Sequence, residues 1–185
     1  MKIILTFVVL ILGYSIYAQT KKALPETKFV TQILEPTGGK ILRPKDWFYV
    51  ESHQGPSYVW TISREDSKKG GYTTGVRIQT LVGVKEGTGK SGKDFLLDFV
   101  SAKKKQADKV IKNCEETEQG LFRRICLETE EGADHISYSL FWGTDNLDVV
   151  VISVAGTTKE LWGEYAGTFE KMSAFELIDM KRFEK

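Results

Sequence analysis

Few residues of this sequence are of the types that do chemistry, and two of them are its cysteines, Cys114 and Cys126. The surrounding segment, KVIKNCEETEQGLFRRICLETE, has the alternation of a hairpin that turns near Gln119-Gly120. A loop of residues 119–121 sets position 114 opposite position 126, on the polar side of both strands. This arrangement predicts a disulfide, since neither histidine lies near the pair to complete a metal site. A pair of free thiols is the alternative.

The two histidines, His53 and His135, are a thin supply of general bases. Neither stands in H-E-x-x-H or another metal-ligand spacing, and the nucleophile motif G-x-S-x-G is absent. His135 falls on the polar face of a predicted strand and His53 beside a Gly-Pro turn, where a solvated or locally bonded histidine is expected. We therefore predict no catalytic, cofactor-binding or metal-binding residue. A hydrolytic enzyme is an alternative that needs a cleft holding His53 or His135 beside a carboxylate.

Acidic residues are grouped at predicted turns and strand ends, as in Asp145 with Asp148 and in Glu128 with Glu130 and Glu131. No oxygen-ligand motif for calcium includes them, so we interpret them as turn and strand-end residues. A weak cation site among them is the alternative.

The connector GVKEGTGKSGKD invites comparison with a P-loop, because a glycine-rich loop before a helix can hold phosphate. The pattern G-x-x-x-x-G-K-[ST] fails in both registers. One register has Val84 where glycine is needed, and the other has Asp94 where a hydroxyl is needed. The connector is therefore predicted to be a flexible loop.

Aromatic residues are concentrated in two early strands. Tryptophan and tyrosine are favoured at interfaces because they combine apolar area with a polar group. The candidate interaction surface consists of Trp47, Tyr49, Tyr58 and Trp60. The alternative is that alternate members face the core. Because Trp47 and Phe48 are adjacent, at most one of them faces the core from a single strand.

The chain begins like an exported protein. A charged start, Met1-Lys2, precedes an apolar stretch that runs to Ala18, which predicts a signal peptide at residues 1–18. The stretch is shorter than the roughly 20 residues that span a bilayer, although a membrane anchor is the alternative. No cysteine lies near the cleavage point for lipid attachment. We expect the protein in the periplasm or the medium.

The charge of the chain is balanced, with 26 basic and 25 acidic residues. Nucleic acids and anionic membranes are bound chiefly through excess positive charge, so neither is expected as the main partner. Another envelope or secreted protein is the expected partner.

The remaining sequence predicts a polar arm at residues 19–37 and a single domain at residues 38–185. A helix is predicted from Ser91 to Asp108, with Ser91 and Asp94 as its capping box, and the hairpin and two further strands follow it. A second capping box, Thr157 with Glu160, is predicted to begin a closing helix. Hairpin-length connections indicate an α+β fold, with helices packed on a twisted, mostly antiparallel sheet.

Two segments resemble the PsbP-like family, which includes the photosystem II extrinsic protein and non-photosynthetic bacterial relatives. One is Pro44-x-x-Trp47 after a short strand, and the other is the closing helix. The closing helix carries Trp162, Tyr165, Phe169 and Met172, followed by Ser173-Ala174-Phe175. The resemblance covers residues 38–178 and implies an αβα sandwich with a non-enzymatic accessory or binding role. The fold is shared with a Ran-binding nuclear-import family, whose function does not suit an exported protein.

Two hypotheses about function follow. The first is an exported, non-catalytic accessory domain that binds another protein through the early aromatic strands. The second is a small-molecule or metal-ion binding protein that uses a pocket between sheet and helix.

Overall fold

The computed structural model describes residues 27–55, 57–144 and 147–182. The predicted signal peptide lies outside them. The strands are β1 (Phe29–Leu34), β2 (Gly38–Pro44), β3 (Phe48–Gln54), β4 (Ser57–Ser63), β5 (Gly75–Val82), β6 (Lys109–Asn113), β7 (Thr117–Gln119), β8 (Phe122–Glu131), β9 (Asp134–Gly143), β10 (Val149–Thr158) and β11 (Glu176–Ile178). The helices are α1 (Val84–Thr88), α2 (Gly92–Gln106) and α3 (Trp162–Ser173), and a 3₁₀ turn spans Met180–Arg182.

The strands form two antiparallel sheets. The larger has the order β3-β4-β5-β10-β9-β8-β6, with β7 paired to β8. The smaller has the order β1-β2-β11. Its first strand lies within the stretch predicted as an arm, and its last strand follows the closing helix. None of the helices in the described ranges is long and apolar enough to cross a membrane.

Helix α2 covers one face of the large sheet. It begins as predicted, because the backbone N–H of Asp94 donates to the Ser91 hydroxyl over 3.1 Å, and that hydroxyl donates to the Asp94 carboxylate over 2.7 Å. Leu96 and Val100 point to the sheet, whereas Ala102 is exposed. The apolar cluster under α2 is completed by Val84, Leu127, Tyr138, Leu140, Trp142 and Val150.

Helix α3 and the small sheet cover the opposite face. Phe169 and Met172 of α3 and Leu34 and Ile41 of the small sheet are buried there. They pack with core residues of the large sheet, namely Trp60, Ile62, Val76, Ile78, Phe141, Val151 and Ala155. The predicted fold class, α+β with helices on both faces of a mostly antiparallel sheet, is therefore confirmed.

The predicted cap of the closing helix is wrong. Strand β10 continues to Thr158, and Thr157 is buried within the strand. The Thr157 hydroxyl bonds to the Thr74 hydroxyl over 2.8 Å and does not cap a helix. Helix α3 instead begins after Leu161, without a side-chain cap. A capping box is a local signal, and the pairing of Thr157 and Thr158 with β9 outweighs it here.

The hairpin around the cysteines also differs from its prediction. Its loop has two residues, Gly120 and Leu121, with Gly120 at a φ of 61° that suits glycine. This loop alone would place residue 115 opposite Cys126. Residues 114–116 lie between β6 and β7, and the register shifts there by one position. Cys114 therefore comes to lie opposite Cys126, as predicted, and its N–H donates to the carbonyl of Cys126 over 3.1 Å.

A candidate ligand groove between the sheet and the third helix

The α3 face of the large sheet changes from apolar to polar across neighbouring strands. One row of side chains runs from Ile78 on β5 to Ser153 on β10, Ser139 on β9 and Cys126 on β8. The row beside it runs from Val76 to Ala155, Ser137 and Glu128. The apolar ends of these rows pack against α3, whereas the polar ends have few apolar groups with which to contact the helix.

A groove of 360 Å³ separates α3 from this polar part of the sheet. This volume lies at the lower end of the range for small-molecule sites. The sheet contributes polar residues to its lining, including Arg124, Glu128, Ser137, Ser139 and Ser153. The helix contributes Trp162, Ala166, Phe169 and Glu170. The lining therefore combines charged, hydroxyl and apolar groups.

Two cations line the groove, and Arg124 is half-buried whereas Lys112 is exposed. The Nη2 of Arg124 donates to the hydroxyl of Ser139 over 3.0 Å, and its guanidinium carbon lies 5.7 Å from the ring centre of Phe141. Its Nε is buried and has no hydrogen-bond partner among the described residues. A guanidinium has five N–H donors, and only the Ser139 bond engages one of them within the described part of the chain.

The neighbouring arginine shows how unusual this position is. Arg123 points to the opposite face of β8 and forms ion pairs with Glu116 and Glu118. Arg124 forms no ion pair with any described residue. Burying a cation without a carboxylate partner costs free energy. The positive charge of Arg124 is therefore available to pair with a negatively charged group in the groove.

The disulfide lies at one side of the same groove. Cys114 and Cys126 are bonded, with their Cα atoms 5.0 Å apart, and both line the groove. The bond joins Cys114, which directly follows the edge strand β6, to Cys126 on β8, two residues from Arg124. The predicted cysteine pair is therefore at disulfide distance, and it is half-buried rather than fully exposed.

His135 lies beyond the other side of the groove, beside a carboxylate. Its Nε2 is 2.7 Å from Oε1 of Glu128, and its ring stacks on Trp162 with centres 3.8 Å apart. The residue is only 8% exposed, so of the two expectations, a solvated or a locally bonded histidine, the structure has the locally bonded one. A general base must reach the nucleophile that it activates, and no hydroxyl or thiol of the described residues bonds to this imidazole. His135 thus positions Trp162 at the start of α3.

The other predicted candidates are separate from the groove. His53 is exposed on β3, with its ring 5.7 Å from that of Tyr58. Asp145 lies outside the described residues, and Asp148 accepts from the backbone N–H of Lys85. The described part of the chain contains no group of three or more histidine, cysteine or acidic residues that could hold a metal ion.

Two members of the predicted aromatic surface are buried. Trp47 is 6% exposed and Trp60 is 1% exposed, and both belong to the core under α3. Trp60 faces inward from β4 and Trp47 faces inward from the turn before β3, and the small sheet and α3 cover them. Tyr49 and Tyr58 remain partly exposed. Phe48 is 43% exposed and points to the opposite face of β3 from Tyr49, so only the two tyrosines of the predicted surface reach solvent.

A larger cleft of 680 Å³ lies on another side of α3, near Trp47. Its charged lining residues are all exposed to solvent, and they are Lys28, Lys45, Asp46, Arg64 and Glu164. Arg64 lies over the ring of Tyr165 at 5.6 Å. Exposed charges are screened by water and bind ligands weakly, so the smaller groove with Arg124 is the stronger candidate.

Comparison with known proteins gives similarity of structure and no match in sequence. No family model matches the chain, and no curated protein matches it. Among solved structures, the chain is similar to the solution structure of cyanobacterial PsbP (CyanoP) from Synechocystis sp. PCC 6803. The match has a TM-score of 0.46 and 13% sequence identity, and it covers 83% of this chain and 94% of that one.

Proposed function

We propose that this chain is an exported, non-catalytic domain that binds a small molecule in the groove between the large sheet and α3. The observation that carries the proposal is Arg124, whose guanidinium lines the groove with a buried Nε that lacks a partner among the described residues. Buried polar groups normally have hydrogen-bond partners, and an exception suggests a functional role. The buried hydroxyls of Ser139 and Ser153 add polar groups beside it.

Export is supported by two independent features. The N-terminal sequence has the pattern of a signal peptide, and a disulfide is stable mainly in oxidising compartments. His135 pairs with Glu128, but its ring is covered by Trp162 and it does not line the groove, so we propose no catalytic role for it there.

The groove proposal is tested by a ligand screen on the exported, disulfide-bonded chain. Anionic, neutral and cationic small molecules are compared by thermal shift, and those that stabilise the protein are mapped by backbone amide NMR. We expect stabilising compounds to move the amide signals of β8, β9 and α3. The proposal is wrong if no class of compound moves them.

A second candidate function is binding to another envelope or secreted protein through the β3 edge of the large sheet. It is favoured by the exposure of Phe48 on β3, a strand that pairs only with β4 among the strands described. Edge strands present unpaired backbone groups to partners. A pull-down from envelope and medium extracts should lose its partner with Phe48→Ser but not with Leu97→Ser, an exposed leucine on α2.

A further inference from the structure

We infer that the group bound in the groove is a carboxylate on a small organic monoanion, with Arg124 as its main contact. This inference rests on the proposed function and specifies its ligand. Three features of the groove support it: the donor geometry at Arg124, the charges around Arg124, and the apolar part of the lining.

The donor geometry suits a carboxylate. The guanidinium is planar and offers parallel N–H groups, which match the two oxygens of a carboxylate. Nη2 donates to the Ser139 hydroxyl, and Nε has no partner among the described residues. Because Nε is also shielded from solvent, binding includes a rotation of the side chain that exchanges the Ser139 bond for bonds from Nε and Nη2 to the ligand.

The charges around Arg124 favour a single negative charge on the ligand. Glu128 and Glu170 also line the groove, and they face the cations Arg124 and Lys112. Glu128 bonds to His135, so it is fixed in place. A ligand with two or more negative charges is repelled by these carboxylates, whereas a monoanion gains most from the one half-buried cation.

The apolar part of the lining suits a hydrocarbon body. Ala155, Ala166 and the disulfide lie along the groove, and the indole of Trp162 lies at one end. These groups cannot bond to a polar ligand body but gain free energy by covering an apolar one. The ligand class is therefore an aliphatic or aromatic monocarboxylate.

The test compares matched ligands by isothermal titration calorimetry on the exported, disulfide-bonded chain. Hexanoate is compared with hexanamide, which has the same shape without the charge, and with inorganic phosphate. A hydrogen bond to a charged group is worth about ten- to hundred-fold in affinity, so hexanamide should bind weaker by that factor.

Variants assign the effect to Arg124. Arg124→Gln should weaken hexanoate by at least about ten-fold, and Arg124→Lys, which keeps the charge without the fork, should weaken it as well. Arg123→Gln on the opposite face of β8 is the matched control and should change the affinity by less than about two-fold. Circular dichroism and the melting temperature verify that each variant is folded.

Three results would overturn the inference. If hexanamide equals hexanoate and Arg124→Gln has no effect, the carboxylate assignment is wrong while the groove remains a ligand site. If phosphate binds more tightly than hexanoate, the ligand is a multivalent oxyanion instead. If neither these ligands nor any screened compound perturbs the groove, the proposed function fails together with the inference.

Discussion

The hydroxyls of Thr74 and Thr157 bond to each other over 2.8 Å although the residues are 83 positions apart, and both side chains are buried. Thr157→Ala should lower the free energy of unfolding by about 1–3 kcal/mol, because it leaves the Thr74 hydroxyl buried without its partner. Urea denaturation measures this change. Thr158→Ala, at the half-buried end of β10, is the control and should cost less than about 0.5 kcal/mol.

Replacing both threonines tests the same bond from the other side. The Thr74→Val/Thr157→Val double variant removes both hydroxyls and nearly keeps the shape, so it should be more stable than Thr157→Ala. A double variant less stable than the single one would mean that packing, and not the hydroxyl pair, sets the cost.

The Ser91 cap should contribute measurably to the stability of α2. Ser91→Ala removes the acceptor for the Asp94 N–H and should lower the free energy of unfolding by about 1 kcal/mol. Ser101→Ala is the matched control, because Ser101 is exposed in the middle of the same helix and alanine is the better helix former there. Chemical denaturation of both variants checks the prediction, which fails if the two changes are equal.

The disulfide should stabilise the folded chain chiefly by restricting the unfolded one. Its cysteines are 12 positions apart, and closing a loop of that size contributes about 3 kcal/mol in the chain-entropy model. The Cys114→Ser/Cys126→Ser variant should therefore unfold at a lower urea concentration. A reducing agent should lower the stability of the natural chain by a similar amount and leave the double variant unchanged. A natural chain that is insensitive to reduction would contradict this account.

Tyr138 should make the fold sensitive to alkali. Burial raises the pKa of its phenol, and the hydrogen bond to Glu131 and the charge of that carboxylate raise it further. The folded pKa thus lies above the unfolded value of 10.0, so the folded chain holds this proton more tightly. The stability that this proton contributes is complete below pH 10.0, the unfolded pKa, and is lost as the pH rises through the folded pKa.

Denaturation at a series of pH values above about 9 measures this loss. Tyr138→Phe should flatten the decline, because the variant has no proton to lose at this position. Glu131→Gln should flatten it less, since burial remains the larger cause. An unchanged decline in Tyr138→Phe would show that other groups control the alkaline stability.

The sequence predicted those parts of the fold that depend on local patterns. Alternation located the strands, and the capping box at Ser91 located the start of α2 to within one residue. The apparent capping box at Thr157 was misleading, because pairing of β10 with β9 extends the strand past it to Thr158. The sequence pattern also predicted a three-residue loop in the hairpin. It could not show the register shift at residues 114–116, because that shift depends on pairing between strands.

The sequence predicted the polar faces that line the groove but not their position beside α3. Alternation placed Arg124 with Cys126 and Glu128 on one polar face, and His135 with Ser137 and Ser139 on another. A polar face is expected to contact solvent, and nothing in the local sequence indicates that α3 folds back beside it. The burial of Trp47 and Trp60 has the same origin, since the small sheet that covers them joins strands from both ends of the chain.

The Nε–Hε signal of Arg124 provides the most direct test of the ligand groove. The measurement is a hexanoate titration of the ¹⁵N-labelled chain, with the signal assigned by its loss in Arg124→Lys. We predict that this signal moves and saturates at the affinity found by calorimetry, while that of Arg123 stays in place. Binding of hexanoate that leaves the Arg124 signal unmoved would contradict the account.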